Sequence, residues 1–493
     1  MTLPHLPAPV VAPVSPDLTA DEQNVAWRLA SVLFSRRPEY LESRQYYEGT
    51  QPVPSLGISV PPELESLRAI VGWGGSGVDA VVERLQLQGI LLKGKSEVDD
   101  DLQEVFQANN IDAESPMVHE DSQVCGNGLV LIGNGANGAI ITGESPLNMT
   151  AHVDRATGIT TCAYQTYIDA DPASEHYASV RGTIYLPEVT THMVSQAGTW
   201  KVIDRDEHPD TAEFGCSVVA FPNRPTTGNR WGISEIAPAW RNCMNRAART
   251  WVELEVMREF HIIQKIMFLG ATEKAFQDGK GNYKTVWESY ADIMPAIEPD
   301  EDGNVPEVKV IQGQSPEGLL KIIDGEARLM SGYTGLDPQS MGIVSTGNPV
   351  SGDSIGKSDF RLKRRTDRKT QGYGNGWVSV AKWTYLVRGE RRDELKRAEA
   401  DWGPTGIPTP AADSDAVTKQ IAAKLIPERS ETGLAKLAYS AIQRQNIAEE
   451  WREFDGRALI EALVDRVRER AQQIEQGQGD QQATETPADG NAA

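Results

Sequence analysis

Between Ser234 and Tyr333 the apolar residues form two helical stretches separated by a polar one, a pattern that predicts a long helical hairpin with a decorated tip. The outgoing helix is expected to start at Ser234, a good N-cap, with Pro238 tolerated because the first turn has no intrahelical use for its N–H. It is expected to run unbroken to about Phe268. Trp240, Met244, Ala247, Trp251 and Leu254 follow the three-and-four spacing of one face, and Val252, Val256, Phe260, Ile263 and Met267 widen the stripe, so the helix is covered on more than one side. Its length, roughly 50 Å at 1.5 Å per residue, is that of a strut. The return helix follows Ser315-Pro316-Glu317 and places Leu319, Ile322, Ile323, Ala327 and Met330 inward. Between them, Gly270 to Gln314 carries a turn signal at Asp278 to Asn282, an acidic run at Glu298, Asp300, Glu301 and Asp302, and a strand-like stretch from Val305 to Ile311.

Before the hairpin, Met1 to Pro16 holds five prolines and predicts a disordered or extended arm. An amphipathic helix from Asp17 (Val25, Leu29, Val32, Leu33) should stop at Pro38, with a short second helix from Tyr40 to Tyr47 ending at Gly49. Thr50 to Pro62 reads as a surface loop. From Gly128 to about Ala220 the period changes to two. Strands at Leu129 to Ile132 and Ala139 to Thr142 flank a glycine-rich loop, and Ile159 to Ile168, Tyr177 to Leu186, Glu188 to Val194 and Trp200 to Ile203 continue an antiparallel unit of about six strands.

After the hairpin, Gly335 to Gly352 reads as a flexible loop. A long helical region then opens with Lys357, Arg361, Lys363, Arg364, Arg365, Arg368 and Lys369, a cluster that suits phosphates or, more commonly, a solvated face or acids in a neighbour. Gly372, Gly374 and Gly376 predict a kink or break just before Trp377. Beyond Trp402 a Gly/Pro-rich linker to Pro410 leads to helices from Ser414 to about Gln473, and the glutamine-rich tail from Ile474 predicts disorder.

Among 493 residues there are 70 acids against 48 lysines and arginines, a net charge of −22, which argues against gripping DNA through a broad basic face. Such length predicts two to four packing units. Cys125, Cys162, Cys216 and Cys243 show no CxxC pair and no histidine at ligand spacing, so they read as ordinary thiols of a reducing compartment, with no zinc site. The N-terminus lacks a basic region followed by an apolar core, and no run of eighteen apolar residues occurs; the expectation is a soluble, unexported protein with no membrane partner.

GILLKGKS, from Gly89 to Ser96, fits the Walker A pattern, with Lys95 and Ser96 in the phosphate and magnesium positions. We reject it on context. The preceding stripe Val78, Val81, Val82, Leu85 is helical, Gly89 reads as a helix C-terminal glycine, and Ser96 reads as the N-cap of an acidic first turn whose Glu97, Asp99, Asp100 and Asp101 would repel a triphosphate. His119, His152, His176, His192 and His208 are scattered without HExxH or a triad order and read as structural. No catalytic residue, cofactor or metal is predicted.

Five short stretches in order resemble the portal, or head-to-tail connector, proteins of tailed bacteriophages, especially those of long-tailed phages of actinobacteria. They are Tyr46-Tyr47-Glu48-Gly49; Val78-Asp79-Ala80 through Glu83-Arg84-Leu85 to Gly89; Phe106 to Asp112; Phe221-Pro222-Asn223-Arg224 leading to Gly232-Ile233-Ser234-Glu235-Ile236; and Asn348-Pro349 through Ser351 to Ile355. Where relatives carry more aliphatic sequence this chain has GWGGSG, Gly72 to Gly77, which does not support the helix implied at Ile70 to Asp79.

The resemblance implies an α+β portal fold. It divides the chain into an N-terminal arm (1–20), a wing (21–233), stem helix one (234–269), a clip (270–314), stem helix two (315–333), a channel loop (334–352), a long wing helix (353–402), a helical crown (403–473) and a disordered tail (474–493). It implies a virion protein, assembled in the host cytoplasm as a ring of twelve copies around an axial channel for double-stranded DNA at one capsid vertex. The implied partners are the large terminase subunit, a head-completion adaptor, and the major capsid and scaffolding proteins. In that frame Gln339, Ser340, Ser345, Thr346 and Asn348 touch DNA, Glu298, Asp300, Glu301 and Asp302 form the clip's docking surface, and Trp240, Trp251 and Phe260 pack between subunits. The rival readings are a minor head or adaptor component, or an ATP-binding enzyme resting on Gly89 to Ser96.

Overall fold

A computed structural model describes residues 9–52, 70–92, 99–135, 138–196, 198–260, 265–269, 307–311, 315–342, 352–406, 410–437, 439, 443–444 and 446–456. Helix α1 (Ala20–Glu48) opens with a capping box: the Thr19 N–H donates to Glu22 Oε2 (2.7 Å), and the Glu22 N–H donates to Thr19 Oγ1 (3.3 Å). It ends where Gly49 adopts φ 72°, as its sequence predicts. Pro38 does not stop it. The carbonyl that Pro38 leaves without an N–H partner is that of Phe34, whose side chain is 70% exposed, so solvent reaches this flank. The helix is also held by packing on both sides of Pro38, with Leu29 and Ala30 in one cluster and Tyr40 and Tyr46 in another. The arm's described part, from residue 9, is extended and packed: the Tyr164 hydroxyl donates to the Val11 carbonyl (3.1 Å), and Val10 and Ala12 lie against the cluster of Leu18, Ala26 and Trp200.

The GWGGSG stretch is helical from its second residue, with Gly72 as the N-cap of α2 (Trp73–Val82). Its glycines are contact points. A Cβ at Gly74 would sit 2.4 Å from the Tyr46 carbonyl oxygen, and one at Gly77 would sit 2.8 Å from the Trp240 ring, so only a surface without side chains lets α2 lie this close. Strand β1 (Leu87–Leu91), helix α3 (Asp100–Ala108) and helix α4 (Ile111–Cys125) follow.

The predicted single β unit is two sheets. Strands β2 (Asn127–Gly135) and β3 (Gly138–Glu144) form the expected hairpin and join a later strand, while β4 (Met149–Val153), β5 (Thr160–Ile168), β6 (Val180–Tyr185), β7 (Val189–Gln196) and β8 (Thr199–Glu207) make a five-stranded antiparallel meander. β9 (Val218–Pro222) returns to pair with β2, giving the order β3-β2-β9. Leu129, Met149, Ala163, Tyr185 and Trp231 share one cluster that draws on both sheets. Helix α1 covers the meander, tied by Glu22, which accepts from Thr191 (2.6 Å) and pairs with Arg205 (3.0 Å).

Helix α5 (Pro238–Phe260) starts four residues later than expected and stops eight residues earlier. Residues 265–269 are instead strand β10, paired antiparallel with β11 (Glu307–Ile311), so Met267 belongs to a ribbon at the hairpin's far end. Helix α6 (Glu317–Thr334) returns, and α7 (Gly352–Leu386) runs without a break through all three glycines. At Gly376 a Cβ would lie 2.6 Å from the Phe221 ring, so this glycine again serves close packing. Strand β12 (Glu399–Trp402) pairs with β1, and helices α8 (Pro410–Ala422) and α9 (Glu431–Lys436) follow. The largest cluster centres on Trp377 and Tyr373 of α7, packed with Phe106, Val130, Ile132 and Phe221.

Candidate functional site

The root of the hairpin is where the sequence brings most charge into the interior. Ser234 is not the N-cap of α5; its hydroxyl donates to the Val124 carbonyl (2.7 Å) and accepts from the Ile236 N–H (3.0 Å), pinning the approach to α5 against the end of α4. The Glu235 N–H donates to the Gln123 carbonyl (2.8 Å), which aims its side chain inward.

That carboxylate is only 3% exposed and meets three cations: Lys369 Nζ at 2.7 Å, Arg365 at 3.1 Å and Arg224 at 3.2 Å. Lys369 also donates to Asn223, and Arg365 donates to the Thr334 carbonyl at the end of α6. One carboxylate therefore joins the exit of β9, the approach to α5, the end of α6 and the middle of α7. Burial alone would raise its pKa, but the charges of Lys369 and Arg365 overcome this and hold it near 2. The sequence showed the basic cluster; that its inner members answer Glu235 was invisible, because an ion pair this far apart in the chain leaves no periodic trace.

From this root α5 and α6 run antiparallel, locked by Arg246, which donates Nε and a terminal nitrogen to the two oxygens of Glu326, each at 2.7 Å. Met244, Ala247, Ala327 and Met330 fill the space between them. Trp240 is 4% exposed and covered within its own protomer by α2, so its surface is already taken. Trp251 is 37% exposed, and the side chain of Phe260 lies outside the described residues. On α6 only part of the expected inner row is inside: Ile323, Ala327 and Met330 are buried, whereas Ile322 is 50% exposed. With Leu329 and Tyr333 it forms a second apolar stripe facing away from α5.

Gln339 and Ser340 are exposed on a short 3-10 turn (Pro338–Met341) anchored by buried Met341, so the start of the loop after α6 is fixed in place. Ser345, Thr346 and Asn348 lie outside the described residues, as do Glu298, Asp300, Glu301 and Asp302. Lys95 and Ser96 do too, but the residues on either side of them fold differently from what the sequence suggests. The stretch before them is strand β1, with Gly89 inside it opposite Asp401, rather than a helix ending at Gly89. The Walker context still fails: β1 is one half of a two-stranded antiparallel ribbon, and α3 begins at Asp100 after Asp99, not at the Lys-Ser pair. Asp99 accepts from the Tyr385 hydroxyl (2.8 Å) and pairs with Arg392 (3.4 Å), so its charge is committed to the fold.

The histidine in the core is His119, fully buried, stacked on Tyr373 with centroids 4.9 Å apart and accepting from the Trp377 indole N–H at 3.0 Å. Burial, with the nearby Lys369 charge, lowers its pKa to about 3, which keeps it neutral. Burial likewise pushes the Cys243 thiol up to about 11 and the Cys216 thiol to about 12, away from reactive thiolate chemistry.

The architecture is α+β, a helical hairpin rooted between a two-sheet unit and a long buried helix. Residues 30–396 match the family described as Phage portal protein, SPP1 Gp6-like, and the chain belongs to that family. Among its relatives are the portal proteins of Mycobacterium phage D29, 27% identical over 436 residues, and of Mycobacterium phage L5, 27% identical over 437; each alignment spans 85% of this chain and 87% of the relative. Similar solved structures include the neck of a native GTA particle computed with C12 symmetry (TM-score 0.46, 13% identity, 80% of this chain and 92% of that one). The neck of an empty GTA particle computed with C6 symmetry has the same TM-score and identity, with 82% and 94% covered.

Proposed function

We propose that this protein is a phage portal that assembles as a ring at one capsid vertex, forms the channel through which DNA is packaged and ejected, and serves as the platform for head-to-tail joining. It acts as a structural component of the virion, assembled in the host cytoplasm, and not as an enzyme. The observation that carries this reading is the family match across residues 30–396, which takes in the whole described hairpin. The physical support is the hairpin's unspent apolar surface: Trp251 on α5 and Ile322, Leu329 and Tyr333 on α6 are only partly covered among the described residues of one protomer, and a ring would cover the rest.

In this reading residues 21–233 with 353–402 form the wing, α5 and α6 the stem, 270–314 the clip and 403–473 the crown. Twelve copies surround double-stranded DNA. The loop over 334–352 meets the duplex through Gln339, Ser340, Ser345, Thr346 and Asn348, and a chain of net charge −22 lets DNA slide without being held. Glu298, Asp300, Glu301 and Asp302 repeat around the clip as a negative collar that steers first the large terminase subunit and then the head-completion adaptor, while the wing contacts capsid and scaffolding proteins.

Negative-stain electron microscopy of the purified protein tests this. Closed rings with a central hole are expected. A monodisperse monomer of 53.9 kDa across protein and salt concentrations overturns the reading.

A further inference from the structure

Beside the Glu235 network lies a half-open cavity of about 430 Å³ whose wall carries Arg224, Arg361, Arg365, Arg368 and Lys369 against the single carboxylate of Glu235. Five cations and one anion leave an excess of four positive charges in a chain whose net charge is −22. The nearest acids of α7 are already committed: Asp359 pairs with Arg84 at 2.7 Å, and Asp367 pairs with Lys363 at 3.2 Å. Arg361 and Arg368 are exposed and have no ion pair among the described residues. Arg361 precedes Arg365 by four residues and Arg368 follows it by three, so all three guanidinium groups stand on one side of α7. Burial, with the Arg224 and Arg361 charges adding to it against the pull of Glu235, disfavours the charge on Arg365. The rest of the wall is mostly apolar, with Pro222, Pro225, Ala237 and Ala239 beside the half-exposed ring of Tyr333.

We propose that this cavity is a binding site for a carboxylate-bearing segment of a second copy of this chain, seated with its acids on Arg361 and Arg368 and its apolar atoms against the exposed face of Tyr333. The proposal rests on the ring reading. Two features favour a peptide over a DNA backbone. A duplex is about 20 Å across and presents its phosphates on a convex surface, so it cannot enter a recess of this volume, whereas a few extended residues can. The apolar part of the wall, with Tyr333 exposed beside Pro225 and Ala239, also offers little to a phosphodiester but suits the side chains that accompany acids in a peptide. Charge complementarity then selects the partner, since a neighbouring copy carries 70 acids against 48 basic residues. Guanidinium groups fit carboxylates as two parallel hydrogen bonds, which fixes register between copies as well as adding affinity.

The test compares the full chain with the double variant Arg361→Glu, Arg368→Glu, the single variants Arg361→Glu and Arg368→Glu, the conservative counterpart Arg361→Lys, Arg368→Lys, and Arg364→Glu, which matches the charge change of each single variant outside the cavity. Circular-dichroism melts establish folding, and native mass spectrometry measures the concentration at which half the chain is assembled. The double glutamate variant is expected to need roughly tenfold more protein at low salt, with the difference shrinking toward 1 M salt, while the lysine and Arg364 variants stay near the original chain. In parallel, a benzophenone side chain in place of Tyr333 is expected to crosslink to an Asp- or Glu-bearing peptide of another copy. Unchanged assembly of the double glutamate variant, a defect from Arg364→Glu equal to that of the single variants, or a crosslink to DNA or only to the same chain overturns the proposal while leaving the ring intact. A wild-type chain that never assembles overturns both.

Discussion

Glu235 and Lys369 are 134 residues apart in sequence and meet at 2.7 Å in a space that water barely reaches. The contact joins the foot of the hairpin to helix α7, and with Arg365 and Arg224 it makes the root of the hairpin an electrostatic joint. Removing Glu235 leaves cations without a counter-charge, which costs more than the pair itself contributes. Glu235→Gln should therefore lower stability by about 3–5 kcal/mol in denaturant titrations. The carboxyl's folded pKa lies below its unfolded value, so its stabilisation is present above about pH 4.5 and is lost as pH falls toward 2. The glutamine variant should lack that part of the acid transition. A variant as stable as the parent, with the same acid profile, contradicts this account.

Gly77 should tolerate no larger residue. A Cβ there meets the Trp240 ring at 2.8 Å and Thr334 at 2.9 Å, so Gly77→Val must push α2 off the stem at a cost of roughly 1–3 kcal/mol. Gly72→Ala, with nothing within 4 Å of the added carbon, should be near neutral. Paired thermal melts of the two variants check the contrast.

His119 predicts a second acid sensitivity. Its folded pKa near 3 lies below the usual 6.5, so the unfolded chain takes up the proton first; stability is full above about pH 6.5 and falls as pH drops toward 3. The span corresponds to on the order of 5 kcal/mol. His119→Phe should flatten the dependence of the urea midpoint between pH 6 and 4, while costing about 1–3 kcal/mol at neutral pH because the Trp377 N–H loses its acceptor. An unchanged slope would falsify the assignment.

Trp251 is partly open to solvent in the protomer, so Trp251→Asp should spare the fold and harm assembly. Burying the new carboxylate between stems should cost roughly 2–4 kcal/mol per contact, enough to shift rings to smaller species in mass photometry. Rings that form at the wild-type concentration mean the residue does not face a neighbour.

Lys95→Ala should leave ring formation and DNA packaging intact, because the flanking β1 and α3 do not form a phosphate cradle. Equilibrium dialysis with radiolabelled ATP decides it: stoichiometric binding by the wild type that the variant loses would restore the enzyme reading.

The hairpin, the glycine stop of α1 at Gly49 and six of the strands of the β unit were legible in the sequence, because each depends on local periodicity or a single backbone conformation; β4 and β9 were not. The extent of the helices was not. Pro38 and the glycines at 72–77 and 372–376 are breakers by local energetics, roughly 1–3 kcal/mol each, and packing on both flanks of a helix outweighs that amount. Where Gly74, Gly77 and Gly376 meet a carbonyl or an aromatic ring, the missing side chain is what allows the approach, and no pattern along the chain names the residue on the other side. For the same reason the sequence displayed Trp240 and Trp251 as equals on one stripe; α2 takes the first and leaves the second partly open. It displayed Glu235 as one acid among 70. Only the fold, by closing β9, α5, α6 and α7 around that carboxylate, decided that it would be buried, and which of the basic cluster would answer it.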